Sequence, residues 1–269
     1  MHFQENDFYV VLTSNTPAPW SPDKSKENTN LISRFYTPLP HQKYFGTNQW
    51  EVALTCISYP HTWLNVEGEK YFIEFGSVDD TEQKIKIIIP EAHYDSGIEI
   101  VDQINFLIKN NGKKSSFIFN RFSNKTSIAV RNHETLKISK LLGSTLGIEI
   151  PGNGVLEHSS RHTDVGLKEI IFRGTNSVDL DLKTHNLFVY SDIVQQTILG
   201  GSYHPLLAII PTKNGNYNSY VTERFPTPQY IPLNTNILSG IKISIKDDQD
   251  ELIQFTAGRT LLNLHFRKK

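Results

Sequence analysis

The only cysteine of the chain, Cys56, lies five residues before His61 in the segment WEVALTCISYPHTW, residues 50–63. A thiol and an imidazole can form a nucleophile and its base, or supply two ligands of a metal site. A regular strand places alternate side chains on one face, so Cys56 shares a face with Val52 and Leu54 and is expected to be a buried structural thiol. A reactive cysteine needs an electropositive and partly open setting. His61 has the opposite parity, and nothing in the sequence brings the two groups together.

The segment HSSRHTD, residues 158–164, offers His158, His162 and Asp164. On a helix this spacing places both imidazoles on one side and could begin a zinc site. The glycines around the segment argue against a helix, and the sequence contains no HExxH motif and no second ligand cluster. A polar loop is therefore the favoured interpretation, and a cupin-like metalloenzyme using His158 and His162 is kept as an alternative.

The acidic segment DDQDE, residues 247–251, lies between two well-patterned strands. Its oxygens could bind calcium, but acidic and amide residues also form ordinary turns, and a turn is favoured. The chain has no GxSxG, P-loop or GxGxxG motif, and LGGS and PGNG occur in turn contexts. Asn124 begins a glycosylation sequon that matters only if the chain is secreted. We therefore predict no catalytic, cofactor-binding or metal residue, no cofactor and no enzymatic activity.

Composition narrows the classes of protein that the chain can be. A formal charge of −1 and a pI near 6.8 create no field for nucleic acid or an anionic membrane, and the basic HFRKK segment is read as a solvated end. A single cysteine allows no internal disulfide, which favours folding in the cytosol or nucleus. The sequence shows neither a secretion signal nor an apolar run long enough to span a membrane, so neither is expected.

Short segments with a period of two predict the strands of an all-β protein, since β-branched and aromatic residues favour pleated sheets. GIKISIKD alternates isoleucines with polar residues without interruption, as expected for a half-buried antiparallel strand. QYIPL is an extended segment whose proline suits a sheet edge. The predicted strands outside the central region are FYVVLTS (8–14), LISRFYTPL (31–39), WEVALTCISY (50–59), LFVYSDIV (187–194), PLLAIIPT (205–212), YVTERF (220–225), GIKISIKD (240–247) and RTLLNLHF (259–266).

The central region has a different pattern. Residues 96–110 place apolar side chains at helical spacing and end at Asn-Asn-Gly, which predicts a helix. YFIEF and KIKIII precede it as strands, residues 116–130 form a predicted hairpin with SNK near its tip, and residues 134–147 begin as a strand and end as a short helix. The interpretation is an inserted α+β domain with its linker at residues 71–164.

Three strands precede this insertion and five follow it, which is the strand number of a jelly roll. The sequence therefore predicts a mainly β protein, an eight-stranded antiparallel jelly-roll sandwich formed by residues 1–70 and 165–269. The small α+β domain lies between the third and fourth strands, because loops at the ends of a sandwich tolerate long additions.

Several sequence segments, taken in their order along the chain, resemble a known family. FYVVLTSNT, NQWEVALTCISYPHTWLNV, LFVYSDIVQQTILGGSYHPLLAIIP, YVTERFPTPQYIPL and GIKISIKDDQDELIQFTAGRTLLNLHF together resemble the penton, or minor capsid, proteins of Polinton (Maverick) elements and related virophage-like viruses. The resemblance is weakest in the middle region, and the insert WSPDKSKENTN (20–30) and the HSSRHTD loop depart from it.

The resemblance implies a structural virion protein that stands at the five-fold vertices of an icosahedral capsid as a homopentamer. Its implied neighbour is a double jelly-roll major capsid protein, and its implied location is the virion, assembled in the host cytoplasm or nucleus. The inserted domain would face outward, DDQDE would join the last two strands, and no membrane or specific nucleic-acid partner is implied. IPGNG (150–154) is similar to sites cut by the maturation proteases of such elements, although a plain turn is favoured.

A carbohydrate-binding β-sandwich used for attachment would explain the same strands and aromatic residues, and it stays open beside the capsid interpretation. The loops SYPHTW and PTPQYIP could contact neighbouring subunits, or could anchor to the core of their own chain.

Overall fold

The computed structural model describes residues 7–14, 31–46, 49–77, 84–131, 134–149, 169–212 and 216–269. The chain divides into two compact units, the first comprising Met1–Trp63 with Lys183–Lys269 and the second comprising Leu64–Leu182. No helix in the described parts is both long and apolar enough to cross a membrane.

Among the described residues strands predominate, and two α-helices occur in the central region. In chain order the elements are β1 (Asp7–Thr13), β2 (Arg34–Tyr44), β3 (Trp50–His61), β4 (Phe72–Ser77), β5 (Ile85–Ile88), α1 (Gly97–Asn110), β6 (Ser116–Asn120), β7 (Lys125–Arg131), β8 (Glu134–Ile138), α2 (Lys140–Thr145), β9 (Glu169–Arg173), β10 (Asn186–Ser191), β11 (Thr197–Leu199), β12 (Ser202–His204), β13 (Leu206–Pro211), β14 (Ser219–Arg224), β15 (Ile231–Pro232), β16 (Ile237–Lys246) and β17 (Leu261–Lys268).

In the described residues, the first unit has two larger antiparallel sheets whose strand order is that of a jelly roll, and a separate two-stranded sheet of β11 and β12. The first sheet runs β1-β17-β3-β14, with the short β15 also pairing with β3, and the second sheet runs β13-β10-β16-β2. Strands that are neighbours in a sheet are therefore distant in sequence, as in two interlocked Greek keys. The mainly β jelly-roll fold expected from the sequence is confirmed.

The inner faces of the two sheets share one apolar core. In β16, Ile241, Ile243 and Ile245 have no exposed area, and they pack in the same cluster as Leu262 and Leu264 of β17. The strict alternation in GIKISIKD produces this arrangement, because every second side chain of a strand points to the same face. The β16 prediction is confirmed, and the strand begins three residues earlier than expected.

A bulge in β3 sets which of its side chains face that core. Asn263 and Leu264 are consecutive in β17 but lie opposite Cys56 and Leu54, so β3 has one extra residue, Thr55. The Thr55 hydroxyl donates a hydrogen bond to the Asn263 carbonyl at 2.9 Å. An extra residue on one strand inverts the alternation of side chains beyond it.

The second unit has its own core between helix α1 and two three-stranded sheets, β5-β4-β8 and β6-β7-β9. Helix α1 begins after Ser96, whose side chain accepts a hydrogen bond from the Glu99 amide, and its Ile100, Ile104 and Ile108 are buried. The predicted helix, the hairpin of β6 and β7, and the strand followed by α2 are all confirmed.

The limits of the two units differ from the predicted domain limits at residues 70/71 and 164/165. The second unit starts at Leu64 and extends to Leu182. Strand β9 pairs antiparallel with β7, so Glu169–Arg173 belongs to the second unit, although it lies within the segment 165–269 that was predicted for the jelly roll. At the first limit, Val66 is buried in the core of the second unit, although the prediction assigned residues up to 70 to the jelly roll.

Candidate functional site

The prediction that Cys56 shares the core face with Val52 and Leu54 is wrong. Because of the bulge at Thr55, Ile57 points into the core with no exposed area, and Cys56 is half-buried on the opposite face of the first sheet. The prediction was wrong because it assumed that side chains alternate between the two faces without interruption through Thr55. No residue type in the sequence marks the bulge.

Cys56 and His61 do not form a site. They lie on one continuous strand five residues apart, which separates their Cα atoms by about 17 Å. His61 is buried at the end of β3, where its ring lies 4.3 Å from that of Trp63. Trp63 in turn contacts Tyr59 and Phe255 with ring centroids 6.2 and 5.8 Å away. The SYPHTW loop thus anchors to the core of its own chain.

The segments HSSRHTD, IPGNG and WSPDKSKENTN lie outside the described residues, and with them His158, His162 and Asp164. Within the described ranges no group of three or more histidine, cysteine, aspartate or glutamate side chains is placed to hold a metal ion.

The DDQDE segment forms a turn whose carboxylates accept hydrogen bonds from nearby donors. Asp247 Oδ1 accepts from the amides of Gln249 and Glu251, both at 2.9 Å. Asp250 Oδ1 accepts from Lys246 Nζ at 2.8 Å. The turn lies between β16 and β17, as expected, and residues 252–260 complete the connection to Leu261, where β17 begins. This connection places Ile253 in the core.

Asp248 joins this turn to the start of β10. Its Oδ2 accepts from the amides of His185 and Asn186 at 2.7 and 3.1 Å, and its Oδ1 accepts from the Asn186 side chain at 2.9 Å. These contacts give the carboxylate a structural role within the sandwich, because three donors are satisfied by one acidic group.

The outer face of the first sheet carries a network of aromatic and charged side chains. The rings of Tyr9 and His265 stack at 4.3 Å, and the Tyr230 hydroxyl lies 2.7 Å from His265 Nδ1. The Arg267 guanidinium lies 3.4 Å from the centre of the Tyr230 ring, and its Nε donates to Glu51 Oε1 at 2.6 Å. The PTPQYIP loop is therefore fastened to its own sheet through Tyr230.

The outer face of the second sheet is also rich in apolar side chains. Tyr36 lies over Gly240, where a Cβ atom would fall 2.1 Å from the tyrosine hydroxyl, so the tyrosine depends on the glycine for its position. Tyr36 and Ile209 remain exposed on this face, and Lys246 lies 5.5 Å from the Tyr190 ring. Exposed aromatic residues are enriched where proteins meet one another.

A small hairpin between β10 and β13 adds to these surfaces. Strands β11 and β12 pair Ile198 directly with Tyr203, and these two side chains are 70% and 67% exposed. Gly200 and Gly201 form the turn with positive φ values of 58° and 90°, which favour glycine. Sequence analysis recognised LGGS as a turn but missed the two strands, although a Gly-Gly pair between TIL and SYH is a hairpin signal.

In the second unit, the β6–β7 hairpin presents Phe122 at its tip. Phe122 is fully exposed, and Asn120 Oδ1 accepts from its amide at 2.9 Å. Asn124, which begins the sequon, adopts a positive φ of 51°, and its side-chain amide donates to the Val178 carbonyl at 3.2 Å. These two hydrogen bonds brace the tip of the hairpin, that is, they hold its backbone in place, and the sequon residue Asn124 makes one of them.

A cavity of about 490 Å³ lies in the first unit near the start of β3. Phe45 and Trp50 supply its aromatic wall, and Gln195 and Asn236 supply amides. Its acidic lining residue, Glu51, is already paired with Arg267. Among the described residues of this lining, no nucleophile lies beside a base and no two carboxylates come together.

In the described part of the chain, four buried tyrosines have raised pKa values. Burial, assisted by the negative charge of Glu223, raises the pKa of Tyr59 to about 12. Burial also raises the pKa of Tyr71, Tyr94 and Tyr190. Tyrosine is already neutral near pH 7, so these shifts extend the neutral form of the phenols to higher pH and leave their charge at pH 7 unchanged.

Comparison with known proteins gives a match in fold. No family model matches the chain, and no curated protein matches it significantly. The crystal structure of the mavirus penton protein is similar with a TM-score of 0.55 and 13% identity, covering 98% of this chain and 99% of that one. The structure of the Sputnik virophage, obtained by cryo-EM, matches with a TM-score of 0.47 and 10% identity, covering 98% of each chain. The chain shares the fold of the mavirus protein along nearly its whole length.

Proposed function

We propose that the protein is a minor capsid, or penton, subunit that occupies the five-fold vertices of an icosahedral virion. The observation that carries the proposal is the match to the mavirus penton protein, which extends over 98% of this chain. A jelly roll alone serves many functions. A match that also includes the long inserted unit is more informative, because insertions vary between proteins that share a sandwich.

The surfaces of the first unit support a role in assembly. Both sheets bury their inner faces in one core and carry exposed aromatic or aliphatic side chains on their outer faces. A capsid subunit must contact copies of itself through surfaces that are exposed in the isolated chain, and a ring of five uses two different surfaces of each copy. The proposal therefore includes a homopentamer and a double jelly-roll major capsid protein as the neighbour.

The proposal assigns no reaction to the protein and places it in the virion, after assembly in the host cytoplasm or nucleus. It treats the second unit, Leu64–Leu182, as a separate domain that points away from the shell. The braced tip with its exposed Phe122 suits such a position, because an exposed aromatic side chain on a fixed loop can contact a partner.

Coexpression with a double jelly-roll major capsid protein from the same genome tests the proposal. We expect the chain to co-purify with assembled particles through density-gradient and sizing steps, and to be absent from the particle fraction when it is expressed alone. Particles that close normally and never contain the chain would contradict the proposal.

Two measurements address the rival functions. Metal analysis of the purified full chain tests the cupin-like alternative, since His158 and His162 would require a stoichiometric metal ion. A glycan array tests the attachment alternative, and binding of one glycan class by a chain that stays out of particles would favour it.

A further inference from the structure

The four outer edges of the jelly-roll sheets differ in how they are protected against pairing with another strand. Edge strands expose unpaired backbone groups, and proteins blunt them with prolines, bulges or charged residues. Strand β2 contains Pro38 and Pro40 and has an irregular register against β16. Strand β13 ends at Pro211 and has an irregular register against β10, and β14 ends at Arg224 just before Pro226.

Strand β1 has no proline and no bulge, and its one charged residue, Asp7, lies at its first position. Its sequence DFYVVLT contains no proline, lysine or arginine. All seven residues pair with β17 in an uninterrupted register from Asp7 opposite Arg267 to Thr13 opposite Leu261. In the described part of the chain no strand pairs with the other edge of β1.

The hydrogen-bonding pattern shows which residues present that free edge. The Ser14 amide donates to the Thr260 carbonyl at 2.9 Å, directly beyond the last β1 pair. Hydrogen-bonded and non-hydrogen-bonded pairs alternate along an antiparallel ladder, so Phe8, Val10 and Leu12 bond to β17. The N–H and C=O groups of Tyr9 and Val11 consequently point away from β17, towards the free edge.

The side chains of the same residues are exposed. Tyr9 is 62% and Val11 is 57% exposed, and Leu261 of the neighbouring strand is also exposed beside them. The edge therefore offers backbone donors and acceptors together with an apolar stripe on the outer face. This combination is what strand addition uses, with main-chain bonds for affinity and side-chain contacts for specificity.

We propose that the free edge of β1 binds an extended segment of a second copy of this chain and forms part of the contact between subunits. The inference rests on the proposed function, because a five-membered ring requires a repeated contact between two different surfaces of adjacent copies. Among the four edges, β1 is the one that has no proline, no bulge and no basic residue, which fits an edge that is covered in the assembled state.

Photocrosslinking tests the contact directly. Benzoylphenylalanine in place of Tyr9 keeps an aromatic group at the exposed position, and the full chain is irradiated both in coexpressed particles and in concentrated solution. We expect a covalent dimer of this chain in particles, in solution or in both. Cross-links only to the major capsid protein, or no cross-link at all, would overturn the inference.

Two matched variants separate the backbone contact from the side chain. Val11→Pro removes the outward N–H group and leaves the β17 ladder intact, whereas Val11→Thr keeps that group and a β-branched side chain. We expect Val11→Pro to reduce cross-linking at position 9 by about tenfold and Val11→Thr by less than about threefold. Thermal unfolding of both variants checks that each remains folded, and equal cross-linking by both folded variants would refute a backbone contact.

Entry of the chain into particles tests the penton assignment, and cross-linking at residue 9 tests the edge contact. If the unmodified chain enters particles but residue 9 links to no second copy, the edge inference fails and the penton assignment stands. If the chain never enters particles but forms the dimer in solution, the assignment fails and the edge contact stands.

Discussion

The bulge at Thr55 makes a prediction that distinguishes two adjacent residues. Ile57 lies in the core with no exposed area, whereas Cys56 is half-buried on the outer face of the first sheet. We expect Ile57→Ala to destabilise the first unit strongly and Cys56→Ala to leave it nearly unchanged. A β3 strand without the bulge would reverse this order.

The expected magnitudes follow from the groups removed. Ile57→Ala deletes three carbons, worth about 2.4 kcal/mol at about 0.8 kcal/mol each, and the cavity left in a tight core raises the total to about 3 to 4 kcal/mol. For a unit of about 150 residues this corresponds to a fall of roughly 10 °C in Tm. Cys56→Ala removes one half-buried atom, so its cost is below about 1 kcal/mol.

Urea unfolding followed by tryptophan fluorescence measures these costs in the relevant unit. Trp50 and Trp63 both belong to the first unit, and Trp63 contacts Tyr59 on the core face of β3. A thiol reagent gives an independent readout, because Cys56 on the outer face should react in the native protein. Equal costs for the two variants, or a thiol that reacts only after unfolding, would refute the bulge and the facing of β3 derived from it.

Three further predictions concern single side chains. The pKa of Tyr59 rises to about 12 in the folded state, so the folded chain holds a proton that the unfolded chain loses above pH 10. The free energy of unfolding should therefore fall between pH 10 and 12, by at most about 2.7 kcal/mol. Tyr59→Phe should reduce that fall in pH-dependent urea titrations, and an unchanged slope would contradict the assignment. Asp248→Ala leaves three hydrogen-bond donors without their acceptor and should lower the free energy of unfolding by about 2 kcal/mol. Calcium should not shift the Tm of the unmodified chain. A rise of the Tm with calcium would favour an ion site over a turn. Phe122→Ala should change the free energy of unfolding by less than about 0.5 kcal/mol, because the side chain is fully exposed, and a larger loss in denaturant titrations would place it in a core.

Strands with strict alternation were predictable from the sequence because each residue obeys the same rule. The alternation in β16 predicted its buried face correctly, and β17 alternates in the same way, with Leu262, Leu264 and Phe266 in the core. Helix α1 was also predictable, since its apolar spacing agrees with the Ser96 cap and the Asn-Asn-Gly stop.

Features that depend on pairing between distant strands were not predictable in this way. The bulge at Thr55 is visible only in the register of β3 against β17. Strand β9 lies within the segment predicted for the jelly roll, and only its pairing with β7 places it in the second unit. The free edge of β1 likewise emerges from sheet order, because a sequence does not state which strands lack a neighbour.

Cryo-EM of particles coexpressed with the major capsid protein tests the penton assignment most directly. We expect density at the five-fold vertices that five copies of this two-unit chain fit, with the jelly roll within the shell. Vertices filled by another protein, or particles whose five-fold density cannot accommodate both units, would contradict it.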